Sequence, residues 1–373
     1  MKYLFILGRN QELSIAEIKA YLRRTDNECE EIGLVKNGLL VSVNRELEAN
    51  EIDFLGGTLA IGKVICSGDE NRFMKEIEKT MIYSGTKNNF NYTIWNFSEE
   101  FEEFREYLKK RFREEKLKAS FKGLTNEIHM QDGENELIPS SRTIDEEYFL
   151  FKNSEINYFG KIIQKCDYKK LADRDMKKPV RRESLAISPR LAKIMINLSE
   201  VKKDEKLVDA FCGIGVILQE ALLQGIEVLG IDRDKAAIEG ATQNLKWFEF
   251  DSKKYSLVNY DSTRVDLRNF NVMVSEPDLG DILKRIPTKE KAERILLDFE
   301  KLMVQVINNV KRKVSGKIVF SSPYIRIGKR RISCDIDNIC HRTGYEVVGN
   351  GIPEFRENQI VGRIIFILNK NHS

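Results

Sequence analysis

Apolar positions divide the chain into two differently patterned stretches, with the change near residue 184. In the first stretch short apolar runs dominate. Tyr3 to Leu7, Gly38 to Val43 and Lys63 to Cys66 read as strands, with a helical stretch between the last two. Ser14 is followed by Glu17 three residues on, the spacing of a capping box, so a helix is expected to open there. Its apolar face would be Ile15, Ile18 and Leu22. That order predicts a small ferredoxin-like α+β domain over 1–66. In 67–168, Tyr92, Ile94 and Phe97 follow a strand pattern, and Phe101, Phe104, Leu108 and Phe112 fall at helical spacing. These aromatics read as core. Tyr148 to Phe151 and Tyr158 to Ile163 close the region as strands.

Asp173 to Glu183 lacks apolar periodicity and contains Pro179, so 169–183 is expected to be a linker. From Ser184 onward strands and helices alternate. Strands are expected at Leu207 to Phe211, Val228 to Ile231, Ser256 to Val258, Val272 to Ser275 and Ile318 to Phe320. Ala292, Ile295, Leu296, Phe299, Leu302, Met303, Val306 and Val310 share one helix face. The fold class is α/β, with 184–373 forming a doubly wound, mostly parallel sheet. Two closing strands, near Tyr345 to Val348 and Arg363 to Leu368, have only a loop between them and should pair antiparallel at the edge.

Composition changes this picture little. The 42% apolar share suits a globular protein, and no apolar run approaches the roughly 20 residues of a membrane span. The start of the chain reads as a strand rather than a signal peptide, and six scattered cysteines show no disulfide pattern, so a cytoplasmic location is expected. Cys334, Cys340 and His341 lack a fourth partner, and no metal is expected. A net charge of +3 does not by itself imply nucleic acid, but two local clusters do point to phosphate. One runs from Lys109 to Lys122; the other holds Arg174, Lys177, Lys178, Arg181 and Arg182.

The strongest chemical signal is Asp209-Ala210-Phe211-Cys212-Gly213-Ile214-Gly215, where a strand meets a glycine turn and a helix over Val216 to Leu223. Such turns let a ligand approach the backbone at the first crossover, and the helix start favours an anionic group. A dinucleotide site wants a third glycine, where Leu218 stands, and Asp209 would repel a pyrophosphate. S-adenosylmethionine (SAM) has no phosphate and carries two cations, so it fits better. Asp232 ends the next strand, where a carboxylate accepts hydrogen bonds from ribose hydroxyls; Asp261, after the third, could accept from an adenine amine.

Over essentially its whole length the sequence resembles the THUMP-domain tRNA methyltransferases that modify N2 of guanosine 10. The resemblance rests on Tyr3 to Asn10, Arg174 to Arg181, Ser188 to Leu198 and Asp209 to Gly215. It implies a ferredoxin-like domain, a THUMP domain gripping tRNA over 67–168 and a Rossmann-like methyltransferase domain. It implies SAM contacts at Asp209, Gly213, Gly215, Asp232 and Asp261, with Phe211 in the same turn.

One motif departs from the family. Amino-group methyltransferases carry Asp/Asn-Pro-Pro-aromatic after the fourth strand, where polar oxygens accept the amine hydrogens and the ring stacks on the base. Here the stretch reads Ser275-Glu276-Pro277-Asp278-Leu279-Gly280. Glu276 and the Pro277 carbonyl are the expected catalytic groups, with Asp278 a second candidate. Tyr324 is a candidate substitute ring, although a core or rim position suits it better. The expected function is transfer of a methyl group from SAM to guanosine N2 in tRNA, with a small activating protein allowed for as a partner. The alternatives are an RNA-binding protein with little or no catalysis, and an amino-methyltransferase of ribosomal RNA or DNA.

Overall fold

Strand β1 (Lys2–Leu7) buries five consecutive residues, as a strand covered on both faces must. In the computed structural model, which describes residues 1–139, 143–182, 187–278 and 283–370, it lies inside an eight-stranded sheet. The other members are β2 (Cys29–Val35), β3 (Gly38–Val43), β4 (Thr58–Gly68), β5 (Asn89–Phe97), β6 (Lys118–Phe121), β9 (Glu146–Asn153) and β10 (Ile156–Lys165). A separate hairpin joins β7 (Asn126–His129) to β8 (Asn135–Ile138). The sheet order is β2-β3-β1-β4-β10-β9-β5-β6. Its first four strands have the ferredoxin-like arrangement, with a short 3-10 turn over Glu51–Phe54 ahead of β4. The expected boundary at residue 66 falls inside β4, which pairs with β1 on one side and β10 on the other. Helices α2 (Glu70–Lys79) and α3 (Phe101–Glu114) cover the far half. Tyr92, Ile94, Phe104, Leu108 and Phe112 lie in its core, as their spacing indicated, with Phe90 and Tyr148 beside them and Phe101 packed partly buried against them; Phe97 belongs to a neighbouring core.

This sheet belongs to one of two compact units, formed by Met1–Gln11, Asn27–Asp53 and Gly57–Cys166. The other comprises Glu12–Asp26, Phe54–Gly56 and Asp167–Ser373. Helix α1 (Gln11–Arg24) thus falls almost wholly in the second unit. It begins before Ser14, so the expected capping box is not formed; Ser14 and Glu17 are both buried inside the helix. Glu17 instead accepts hydrogen bonds from the Gly56 amide (2.7 Å) and Asn197 Nδ2 (2.8 Å). A buried carboxylate must find donors, and these tertiary donors outweigh the local signal.

The expected linker is also more ordered than its composition suggested. Its first half lies in α4 (Tyr168–Lys177), opened by Asp167, whose side chain accepts from the Lys170 amide. Then follow α5 (Pro189–Leu198), β11 (Lys206–Asp209), α6 (Val216–Leu222), β12 (Glu227–Asp232), α7 (Lys235–Trp247), β13 (Tyr255–Asn259) and β14 (Val272–Ser275). The chain continues through α8 (Lys289–Val310), β15 (Ile318–Ile327), β16 (Arg330–Ile332), α9 (Ile336–Thr343), β17 (Tyr345–Val347), β18 (Ile352–Glu354) and β19 (Val361–Lys370). The main sheet order is β13-β12-β11-β14-β15-β19-β17. The first five of these strands run parallel, while β19 is antiparallel to both β15 and β17. The expected antiparallel pair of closing strands is present, but β19 is inserted inside the sheet and β17 takes the edge. Ten largely apolar residues on β19, eight of them paired to β15, explain why it sits inside. Two apolar cores, one holding α5 and α6 and one holding α8 and α9, pack the sheet. Strand order reverses between β11 and β14, the place where such folds open a ligand cleft.

Candidate cofactor and substrate site

The cleft at this switch point is lined by Asp209, Phe211, Gly213, Glu276 and Arg182, with apolar side chains of α6 behind them. The turn that forms it needs glycine twice: Gly213 has φ +52° and Gly215, which caps α6, has φ +84°. Both lie in the left-handed region, where a side chain is strained. At Gly213 an added Cβ would meet nothing within 4 Å, so the backbone there faces open space.

Asp209 stands at the end of β11, only 1% exposed. It accepts from the Phe211 amide (3.1 Å) and a hydrogen bond from Ser275, yet burial pushes its carboxyl up to about 7. Nearby Asp232 and Glu276 push it in the same direction. A buried acid this short of positive charge is suited to a cationic ligand. Asp232, at the end of β12, uses both oxygens to shape the turn, taking Gly213 N (2.9 Å) and Asp234 N (2.9 Å). Asn259 locks the next loop by donating to the Asp232 and Arg233 carbonyls. Asp261 is exposed, and its carboxyl is held below the usual range by the Thr263 amide and hydroxyl. The six expected cofactor residues thus lie on the β11, β12 and β13 ends of one sheet. Of these, Asp209, Phe211 and Gly213 line the cleft itself.

After β14 the arrangement differs. Glu276 is largely buried and forms an ion pair with Arg363 Nε of β19; Ser321 Oγ donates to the same oxygen at 3.4 Å. Burial raises its pKa, while Arg363 opposes the rise. Pro277 is buried and Asp278 exposed; Leu279 and Gly280 lie outside the described residues. The ring of Tyr324 packs edge-on against Phe355 (5.7 Å) with the Arg331 guanidinium over it, so it is a packed ring.

The five basic residues expected at RNA part company. Arg174 Nη2 donates to both oxygens of Glu220 (2.7 and 2.9 Å), a carboxylate buried on α6. Withdrawing that guanidinium would strand a buried charge. Lys178 is buried against Asp175 (2.7 Å), whereas Lys177 makes only an exposed pair with Asp173. Arg181 is exposed, and Arg182 lines the cleft while pairing with Asp234 (2.6 Å). In the other unit, Lys109, Lys110 and Arg111 are laced along α3 to Glu106, Glu114 and Glu115. Among the described residues no cluster of His, Cys, Asp or Glu could hold a metal, and no helix is long and apolar enough to cross a membrane.

Sequence reasoning missed two residues here. Arg363 lies 87 positions from Glu276, with no local signal linking them. Asn244, fully buried on α7, was equally silent: its amide donates to the carbonyls of Val180 (3.1 Å) and Ile214 (3.0 Å) and accepts from Val180 N (3.0 Å).

Comparison with known proteins agrees with the geometry. Residues 179–320 match the family described as RMKL-like, methyltransferase domain. A tRNA (guanine(10)-N2)-dimethyltransferase of Methanothermobacter thermautotrophicus is 33% identical over 120 residues, 31% of this chain and 33% of that protein. One from Pyrococcus abyssi is 24% identical over 187 residues, 49% of each chain. The chain therefore spans a third to a half of the length of these curated relatives. The crystal structure of TrmN from Thermus thermophilus shares the fold over 100% of both chains, with a TM-score of 0.52 at 11% identity. Residues 179–320 thus match a methyltransferase domain on a Rossmann-like fold, and the cofactor that such a domain takes is SAM. The residues present fit it: a buried acid for the ammonium, an acid at the β12 end for the ribose, and open space against the glycine turn.

Proposed function

We propose that the chain methylates the exocyclic N2 amine of a guanosine in tRNA, at position 10. Glu276 carries this reading: a carboxylate that is an oxygen acceptor stands after β14, in the cleft it shares with Asp209 and the glycine turn. SAM, when bound, supplies an electrophilic methyl group and leaves as a neutral thioether. Guanine offers two N2 hydrogens, and Glu276 would accept one, so that the nitrogen lone pair turns toward the methyl carbon. Burial raises the pKa of that carboxyl, and Arg363 opposes the rise and favours the ionised form. The nitrogen loses its extra proton after the new C–N bond forms, so no strong base is required. Glu276, the Pro277 carbonyl and Asp278 are the catalytic groups of this reading. Asp209, Phe211, Gly213, Gly215, Asp232 and Asp261 hold the cofactor.

The stretch over 67–168 would act as the THUMP domain that grips tRNA, with 1–66 as its ferredoxin-like neighbour and 169–183 leading into 184–373. Lys177 and Arg181 are the basic residues best placed for phosphate. Work on tRNA would put the protein in the cytoplasm, and a small activating protein would remain compatible with this scheme. A second reading, RNA binding with little catalysis, is favoured by one observation: Arg363 already occupies Glu276. Transfer of labelled methyl from SAM to unmodified tRNA transcripts, followed by nucleoside digestion, separates the two. Label in N2-methyl- or N2,N2-dimethylguanosine is expected. Tight tRNA and SAM binding without label would establish the non-catalytic reading instead.

A further inference from the structure

Two carboxylates and one cation line the cleft: Asp209, Glu276 and Arg182. The amino-acid end of SAM is itself a zwitterion, with an ammonium and a carboxylate on one carbon. A site with acids alone would leave the carboxylate unmatched. We propose that Arg182 is the residue that binds the cofactor's carboxylate, in the cleft it shares with Asp209. The proposal rests on SAM occupying this cleft, and not on which RNA is modified.

Two observations and one point of general chemistry support it. First, Arg182 is held near the glycine turn by the fold. Asn244 hydrogen-bonds both backbone groups of Val180 and, with the same amide, the carbonyl of Ile214 in that turn. Val180 also packs against Gly240 of α7, where an added Cβ would lie 3.0 Å from it. The chain is thus clamped two residues before Arg182.

Second, Arg182 can be released at little cost. Its partner Asp234 is 47% exposed, and exposed ion pairs contribute little. Asp234 caps α7 with its other oxygen, accepting from the Ala236 amide at 2.9 Å, so the helix keeps its cap when Arg182 turns away. Arg174 is the opposite case, tied to a buried carboxylate.

Third, a guanidinium offers two parallel donors to a carboxylate, a geometry that a lysine cannot copy. Phosphate would be the rival ligand, since Arg182 belongs to the basic cluster expected at RNA.

The deciding experiment is calorimetry on the full chain with SAM and with decarboxylated SAM, which keeps both cations and lacks only the carboxylate. For Arg182→Gln, SAM affinity should fall about 10- to 100-fold, as for loss of a charge-assisted pair. Affinity for the decarboxylated ligand should stay within about twofold, because no carboxylate is there to lose. Arg182→Lys should recover only part of the SAM affinity, and Asp234→Asn, which frees the guanidinium, should not weaken it. An unchanged thermal melt for Arg182→Gln guards against a folding defect. Equal losses for both ligands would overturn the proposal, as would an unchanged SAM affinity. Unchanged SAM affinity with a weaker, less salt-dependent tRNA complex would assign Arg182 to phosphate. If the wild-type chain binds neither ligand, the cofactor reading itself fails and the proposal with it.

Discussion

The two ends of the cleft are built by different means. At the cofactor end, Asp209, Asp232 and Asp261 follow three strand ends, and each carboxylate is oriented by backbone amides within two residues of it or in the adjoining turn. At the proposed substrate end, Glu276 depends on Arg363 and Ser321, which reach it from β19 and β15. The first end is fixed largely by local chain geometry. The second rests on contacts from residues remote in sequence, chiefly one ion pair. The proposed cofactor turn and the proposed catalytic stretch after β14 differ in this respect.

Breaking the ion pair should have the largest effect. Arg363→Met leaves a buried carboxylate without its cation, a loss of about 3–5 kcal/mol of stability. Burial already raises the Glu276 pKa, and removing Arg363 raises it further above the unfolded value. The penalty should therefore grow as pH rises and fade as Glu276 protonates; denaturant melts across a pH series would show it. The acid limb of methyl transfer should move to higher pH in the same variant, and a limb that stays put would deny Glu276 its role.

At the cofactor end, Asp232→Ala removes acceptors for the Gly213 and Asp234 amides as well as for the ribose. A loss of about 2–4 kcal/mol in SAM binding is expected, at least thirtyfold by calorimetry. Unchanged affinity would sink that assignment.

A smaller, pH-dependent effect should come from Asp209, whose carboxyl is raised from 3.8 to about 7. Below about pH 7 the free protein holds it protonated, and an ammonium binds the ionised form. Affinity for SAM should thus rise as pH increases, about tenfold per unit below 7 and flat above it. Without ligand the sign is reversed: the group lowers stability as pH climbs from its ordinary 3.8 toward 7. Asp209→Asn should flatten the binding profile, and a slope that survives would point to another group.

The smallest change belongs to Lys177, whose pair with Asp173 is exposed. Lys177→Ala should alter stability by less than about 0.5 kcal/mol. If it touches phosphate, the salt dependence of tRNA binding should drop by about one in slope. An unchanged slope would remove it from the interface.

What could be read in the sequence follows the same division. The glycine turn and the acids at the β11, β12 and β13 ends depend on neighbours a few residues away, and they lie where the strand-helix alternation put them. Long-range choices were invisible. The Ser14 and Glu17 spacing imitated a cap because the buried partners of Glu17, Gly56 and Asn197, are remote in sequence. Arg174 looked like a phosphate ligand because Glu220, its buried partner, lies on another helix. The helical half of the supposed linker was hidden by its charge, although Asp167 was there to cap it.

In the proposed reaction, the atom methylated is the N2 amine of a guanosine held against Glu276. The most direct measurement compares single-turnover transfer to two tRNA transcripts that differ only at position 10, one with guanosine and one with inosine, which lacks that amine. Transfer to the guanosine transcript and none to the inosine one, with equal tRNA affinity, is the predicted result. Equal transfer to both would contradict the account and move the reaction to a different atom.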